Sequence, residues 1–571
     1  MARGVASETL PHVDWLERDR NIIEGLDHLG VQAVSVNLYA LLLPGVTNVT
    51  DRARYYSFYP WVLHRFAQSG TARRGRADWL HWLRKVEFSY ATASVTHEIS
   101  SRKFDSRATA VVGSETARRL LRDSDEADVV DIQSAALLDE SGKVPKKGAY
   151  FKNPEGGFGQ YYRVPLEILG LLAKDPEHHY PDCKLTSYAG VPVAESVDPQ
   201  TAFHELVQFA PSGSARFSEL AALGSRLSPS AIEPGSKEER LLRRLFLGED
   251  NELCQGQQLE TRTWRRASIL LALQCVRDNE FLDPDTFAYE FRWACTALAL
   301  VKGNQWKLPE DLRSVAAAWA AYHRNDLMNY ALESLFWVTL RKIDEGIFTP
   351  RQLAHHVAGM TCVGIKTSKD HPRMPALSGR VSDWIASCER SEEESRGDPW
   401  GYTSTWKWSD MLRAAVEEED DTAVACWAVR LLGRLATDHR TFHDHPFGTL
   451  PNAAEIAAVH EINIGRWLNR ITSRAFEPLR SFLEDLVLEW VIYRHLRVAT
   501  RKLATQGVST FKLRPELGTL LLLAETLPLP TLTNPRLRQL HRILGDLHYL
   551  IIDAKGTRLS PDGANLIASA Q

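Results

Sequence analysis

Between about residues 201 and 385, apolar side chains recur every three or four positions, a rhythm that only packed amphipathic helices can use. In EERLLRRLFLG, at 238–248, Leu241, Leu242, Leu245 and Phe246 share one face, and Gly248 can close the helix as its C′ residue. RRASILLALQCVRDN and DTFAYEFRWACTALALVKG repeat the pattern. WAAYHRNDLMNYALESLFWVTLRKI aligns Leu327, Ala331, Leu335 and Val338. No fixed period links these segments, so the pattern is a helical array without the signature of a solenoid. At 571 residues, 44% of them hydrophobic and 25% charged, the chain suits three or four globular units. No apolar run is long enough to span a bilayer, and MARGVASETLPHVDW lacks a signal-peptide core, so the expected location is the cytoplasm, with no membrane partner. The seven cysteines are far apart and form no CxxC, which points to small buried side chains and not to a disulfide framework or a zinc ribbon.

The expected fold class is mainly α: multi-helical domains with a C-terminal winged-helix-like segment. Four divisions follow from the shifts in pattern: a basic, aromatic helical domain at 1–200, a central helical domain at 201–387, an acidic loop with a second helical block at 388–475, and a winged-helix-like domain at 476–571. In the last of these, Phe482, Leu486, Trp490, Tyr493, Leu496, Ala499 and Leu503 keep a helical spacing. NPRLRQLHRILGDLHYLIID then leads into AKGTRLSPDGANLI, where two β-prone stretches flank Lys555-Gly556. Ser560-Pro561 suits the N-cap and first position of a terminal helix. Helix, hairpin and helix make a wing-like arrangement, or an ordinary cap on a helical domain.

The net charge of −4 conceals segregation. Residues 52–122 carry 14 Lys/Arg against 5 Asp/Glu, and residues 462–571 carry 15 against 9, leaving the remainder strongly acidic. Two basic segments on an acidic body suit a phosphate-rich partner, or they are solvated faces that never converge. The residues expected to contact DNA are Arg73, Arg74, Arg76, Arg84 and Lys85 near the N-terminus. Arg494, Arg497 and Arg501, at i, i+3 and i+7 of one helix, join them, as do Arg538, Arg542, Lys555 and Arg558 around the wing.

Catalytic motifs are missing from the sequence: there is no GxxxxGK[ST], HExxH, GxSxG or kinase signature. The reading leaves enzymatic activity open, leans to a non-catalytic role, and expects no cofactor. Gly156, Gly157 and Gly159 lack GxGxxG spacing and read as a turn, not a phosphate loop. The alternative to a non-catalytic role is a metal-dependent nuclease built on TDHRTFHDHPFG, where His439, His443 and His445 could bind Zn²⁺ or Mn²⁺ with Asp438 and Asp444. His178, His179 and Cys183 are a weaker version. In the segment TDRARYYSFYPW, Thr50 or Asp51 is expected to cap a helix with Arg52 and Arg54 in its first turn, and Pro60 to kink or end it. Two arginines there oppose the helix dipole, so a carboxylate or a phosphate should compensate them. The surrounding aromatics favour a buried structural pair.

The segment LPGVTNVTDRARYYSFYPWVLHRF resembles the N-terminal motif of a bacterial family, through Pro44, Gly45, Asp51, Arg52, Arg54, Tyr55, Tyr56, Pro60 and Trp61. GGFGQYYRVPLEILGLL, with Gln160, Tyr161 and Tyr162, looks like a second element of that family. Together the likeness covers about 45 residues. It implies a gene within an anti-phage defence island, beside helicases, nucleases or methyltransferases, and it implies no catalytic residues. The resulting expectation is a non-catalytic DNA-binding or adaptor subunit, with DNA and other defence subunits as partners; a pure protein scaffold is the further alternative.

Overall fold

The computed structural model describes residues 27–68, 75–100, 110–122, 128–139, 142–175, 182–197, 203–207, 213–248, 252–255, 257–279, 284–300, 305–361, 378–389, 402–441, 462–553 and 555–570. The protein is mainly helical, and its strands form two-stranded antiparallel pairs. Local signals set many helix ends. Ser236 accepts from the Glu239 N–H to start Lys237–Leu247, and Gly248 closes it at φ +60°. Thr349 and Gln352 form a reciprocal capping box, with Pro350 in the first turn of Pro350–Met360.

Two hydrophobic cores organise these helices. The first gathers residues from Val34 to Tyr322 and from Leu537 to Ile567. The second gathers residues from Leu327 to Ile492, with Leu29, Val31, Trp293, Ala297 and Ala299 and with Leu513 and Leu520 of the hairpin Leu513–Glu516/Thr519–Leu522. The 36-residue helix Glu310–Glu345 runs through both: Leu312 to Tyr322 belong to the first core and Leu327 to Ile343 to the second. At 1.5 Å per residue it is about 54 Å long. The cores therefore cut across the expected divisions. The segment 476–571 is not one packing unit, because its hairpin at 513–522 joins the second core while 537–567 joins the first.

Two local expectations need correction. The helix Tyr55–Gln68 starts after both arginines, with Arg54 C=O accepting the first α-type bond from Phe58 N–H. It passes through Pro60 without ending there, and every side chain from Tyr55 to Leu63 is buried, which offsets the roughly 3 kcal/mol cost of an interior proline. After the glycine turn a π-turn, Phe158–Tyr162, leads into a short helix, Arg163–Ile168, and then into a short strand, Leu172–Lys174. A second π-segment, Leu486–Ile492, lies between Leu479–Asp485 and Tyr493–Gln506 in the C-terminal helical run.

At the C-terminus the expected helix, hairpin and helix are all present: Leu537–Asp546, Leu550–Asp553 paired with Gly556–Leu559, and Pro561–Ala570. Ser560 Oγ accepts from Gly563 N–H, the cap foreseen before Pro561.

Candidate nucleic-acid interface

The Asp51-Arg52-Ala53-Arg54 segment is built inward. Arg52 is bidentate with Asp546, Nε to Oδ2 at 2.9 Å and Nη2 to Oδ1 at 2.8 Å, and Ala53 N–H donates to the same carboxylate. One helical turn earlier, Arg542 pairs with Asp51 at 2.8 Å. Charges of opposite sign are thus exchanged between this segment and the helix Leu537–Asp546. Arg54 pairs with Glu238 and donates to the Arg226 and Ser228 carbonyls, while Ser57 Oγ–H donates to Glu238. Arg52 and Arg54 are 1% and 4% exposed, so the compensating groups are carboxylates of the fold itself.

The segments around Tyr55 and Tyr162 meet in the first core. Tyr162 lies with its ring centroid 4.7 Å from Tyr55 and 5.1 Å from Tyr59. Beside them Glu87 is wholly buried and accepts from Tyr59 OH at 2.5 Å, Tyr150 OH at 2.6 Å and the Gly157 and Phe158 N–H groups. Burial pushes this carboxyl up, and the phenols and the Gly157 amide pull it back down. Gly156 sits at φ +58°, and a Cβ there would overlap Glu87 Oε2. The glycine cluster is an internal cradle for a carboxylate. With no exposed atom, Glu87 meets no outside ligand in this conformation; it ties Tyr59, Tyr150 and the Gly157 turn together.

The expected DNA contacts divide sharply. Arg84 is 0% exposed: its guanidinium donates to the carbonyls of Ala136, Phe151, Asn153 and Pro154 and lies over the Tyr150 ring. Arg494 is 6% exposed and donates to the Leu29 and Gly30 carbonyls. Both assignments to DNA are corrected for one reason. Irregular backbone buried against a helix has carbonyls with no ladder partner, and a long cation supplies donors to several of them. Arg542 is ion-paired with Asp51, and Arg558 with Asp553 at 2.8 Å. Arg76, Arg497, Arg538 and Lys555 are exposed, and Lys85 and Arg501 are half-buried. Arg73 and Arg74 lie outside the described residues. The helices that carry the basic residues dock on different segments: Arg76–Ser100 on Phe217–Leu227, Tyr493–Gln506 on the segment around Leu29, and Leu537–Asp546 on the segment around Asp51.

His443 and His445 of the alternative metal cluster lie outside the described residues, and His439 is known only as a position in the helix Asp421–Thr441. His178 and His179 also lie outside; Cys183 is buried, and burial pushes its thiol up to about 12. Among the described residues no group of three or more His, Cys, Asp or Glu is arranged to hold a metal ion. The six described cysteines are buried thiols. No described helix is long and apolar enough to cross a membrane.

The charge counts overlooked one surface. Residues 142–154, GKVPKKGAYFKNP, contain four lysines and no acid, and Lys143, Lys146, Lys147 and Lys152 are all exposed. This run continues the basic N-terminal region past a short acidic stretch and could have been found as a local charge run. No family model, curated protein or solved structure matches the chain.

Proposed function

We propose that this protein is a non-catalytic, DNA-contacting adaptor subunit of a bacterial anti-phage defence system. The observation that carries the DNA part is the surface charge that survives in the N-terminal region. With Arg52, Arg54 and Arg84 consumed by the interior, Arg76, Arg119 and Arg122 remain exposed and Lys85 half-exposed. Exposed cations spread over a helical surface favour sequence-independent contact with phosphates. The defence context rests on the resemblance of the two N-terminal segments. In this reading the C-terminal helix and hairpin act as a winged-helix-like unit, with Arg538 and Lys555 as its exposed cations. The test is binding of the full chain to a labelled 30-base-pair duplex across a salt series. With about 4 to 6 phosphates neutralised, log K falls against log salt with a slope near −4 to −5, alike for unrelated sequences. Failure to bind at low salt would end the DNA reading.

A second reading, a protein scaffold, draws on the hairpin Leu513–Glu516/Thr519–Leu522. Leu517 at its tip is fully exposed, and Leu521 and Leu523 are 43% and 38% exposed. Ile347, at 84%, adjoins Phe348, whose carbonyl accepts from Leu520 N–H. Clustered exposed aliphatic side chains favour a protein contact. Leu517→Ser with Leu521→Ser should leave the melting temperature unchanged while abolishing co-purification with products of neighbouring genes. The nuclease alternative is decided by metal analysis of the purified protein and a nicking assay with Mg²⁺ and Mn²⁺.

A further inference from the structure

From the way Arg84 and Glu87 grip the chain around Tyr150, we infer that the loop 142–154 is a preorganised phosphate-contacting surface for a nucleic-acid backbone. The inference rests on the DNA reading above and gives it a location outside the two basic segments.

The second half of the loop, 150–154, is held from beneath by one helix, and its first half is tied to Asp139. Arg84 and Glu87, one turn apart on Arg76–Ser100, work on opposite sides of the same strap. Arg84 takes the carbonyls of Phe151, Asn153 and Pro154, at 3.3, 2.8 and 3.4 Å, together with Ala136 at 2.9 Å. Glu87 takes the Tyr150 hydroxyl, and the Tyr150 ring stacks on Phe88 with centroids 5.0 Å apart. Tyr150 N–H donates to Ala135 C=O, and the start of the loop is closed by Asp139, whose Oδ1 accepts from Lys143 N–H. The apolar residues turn inward: Val144 and Phe151 pack against the first core, and Tyr150 is 6% exposed. What remains outside are the four lysines and Gly148, at φ +85° with open space around it.

This division of labour identifies the partner. A membrane-binding loop would present apolar side chains for insertion, and this loop buries its own. Specific recognition of a planar carboxylate or a base edge is arginine chemistry, bidentate and directional. The loop instead presents lysines, compact charges on flexible stems, which suit a row of phosphates read without regard to sequence. Fixing the backbone beforehand lowers the ordering cost of binding. Arg76 of the supporting helix, whose charge reaches Glu155 just beyond the loop, adds a further exposed cation near it.

The test compares the full chain with a variant carrying Lys143→Ser, Lys146→Ser, Lys147→Ser and Lys152→Ser, all at exposed positions. A second variant with the same lysines changed to Arg keeps the charge. Each is titrated with two unrelated 30-base-pair duplexes over a salt series, and with phosphatidylserine vesicles and poly-glutamate. The expected result is a salt slope shallower in the serine variant by about 0.9 for each lysine that contacts a phosphate, equally on both duplexes, with near-native binding by the arginine variant. Equal affinity and slope in wild type and serine variant would overturn the loop's role and leave DNA binding intact. Loop-dependent binding to vesicles or poly-glutamate without binding to duplex would overturn the nucleic-acid assignment. Wild-type protein that binds no duplex at low salt removes the DNA reading and the loop proposal together.

Discussion

Arg54 shows how a charged residue in an aromatic segment becomes part of the core. Its pair with Glu238 is closed to solvent, so Arg54→Ala leaves a buried carboxylate without its cation, a change that typically costs about 3–5 kcal/mol. Denaturant unfolding should show that loss, and an unaltered midpoint would mean the pair is dispensable. Gly156 makes a complementary demand. Its φ of +58° and the proximity of Glu87 Oε2 leave no room for a side chain. Gly156→Ala should destabilise by about 1–3 kcal/mol from backbone strain alone, before any displacement of Glu87. Gly159, whose φ is not positive, makes no such backbone demand, but a Cβ there would overlap Glu155 Cβ, so Gly159→Ala should destabilise through that overlap alone.

Among the elements, the C-terminal helix Leu537–Asp546 has the clearest structural duty. It places Leu537, Leu540, Ile543 and Leu544 in the first core, and Asp546 and Arg542 opposite Arg52 and Asp51. A chain ending at residue 535 would leave Arg52 buried without a counter-ion and the first core open. Hydrogen exchange should then show lost protection in Tyr55–Gln68, while Asp421–Thr441, in the second core, keeps its protection. Equal protection in both helices would show that the cap is an accessory. The helix Tyr493–Gln506 illustrates what its sequence concealed. Arg494, Arg497 and Arg501 follow at i, i+3 and i+7, but docking separates them: Arg494 is buried against residues 27–30, where it takes the Leu29 and Gly30 carbonyls beside Lys502 on the Asp27 carbonyl, while Arg497 stays exposed.

For the whole molecule, the decisive feature is a polar seam where the two cores meet. Along Glu310–Glu345, Asp326, Asn329 and Glu333 follow at i, i+3 and i+7, against Gln32 and Ser35 of the helix Gln32–Leu42. Gln32 donates to Glu333 at 2.7 Å, Asn329 to Ser35 at 3.1 Å, and Thr533 N–H and Oγ1–H to Asp326. Burial, reinforced by the charge of Asp27, pushes Glu333 up to about 8; burial pushes Asp326 up to about 6 against the pull of Arg292. A carboxyl with a raised pKa holds its proton longer in the folded state. The stability it contributes is therefore complete below its unfolded pKa, near 4.3, and is lost as pH rises through about 8 for Glu333. Glu333→Gln keeps an acceptor for Gln32 and removes the ionisation. Its melting temperature should rise relative to wild type between pH 5 and pH 8 and match it near pH 4. A difference that stays constant with pH would show that Glu333 does not titrate in this window.

Helical periodicity, caps such as Ser236 and Thr349, the terminal C′ glycine at 248 and the Ser560-Pro561 start were all legible in the amino-acid order, because each depends on residues within two turns of one another. The burial of Arg52 and Arg54 was also legible, from the aromatics beside them. Their partners were not: Asp546 and Glu238 lie far along the chain, and only packing brings them within hydrogen-bonding distance. The same distinction separates Arg84 and Arg494, interior donors to backbone carbonyls, from Lys143, Lys146, Lys147 and Lys152, which remain at the surface. A charge count treats these cations alike. Their environment depends on which irregular backbone needs donors, and that need arises only when the helices have docked and excluded water.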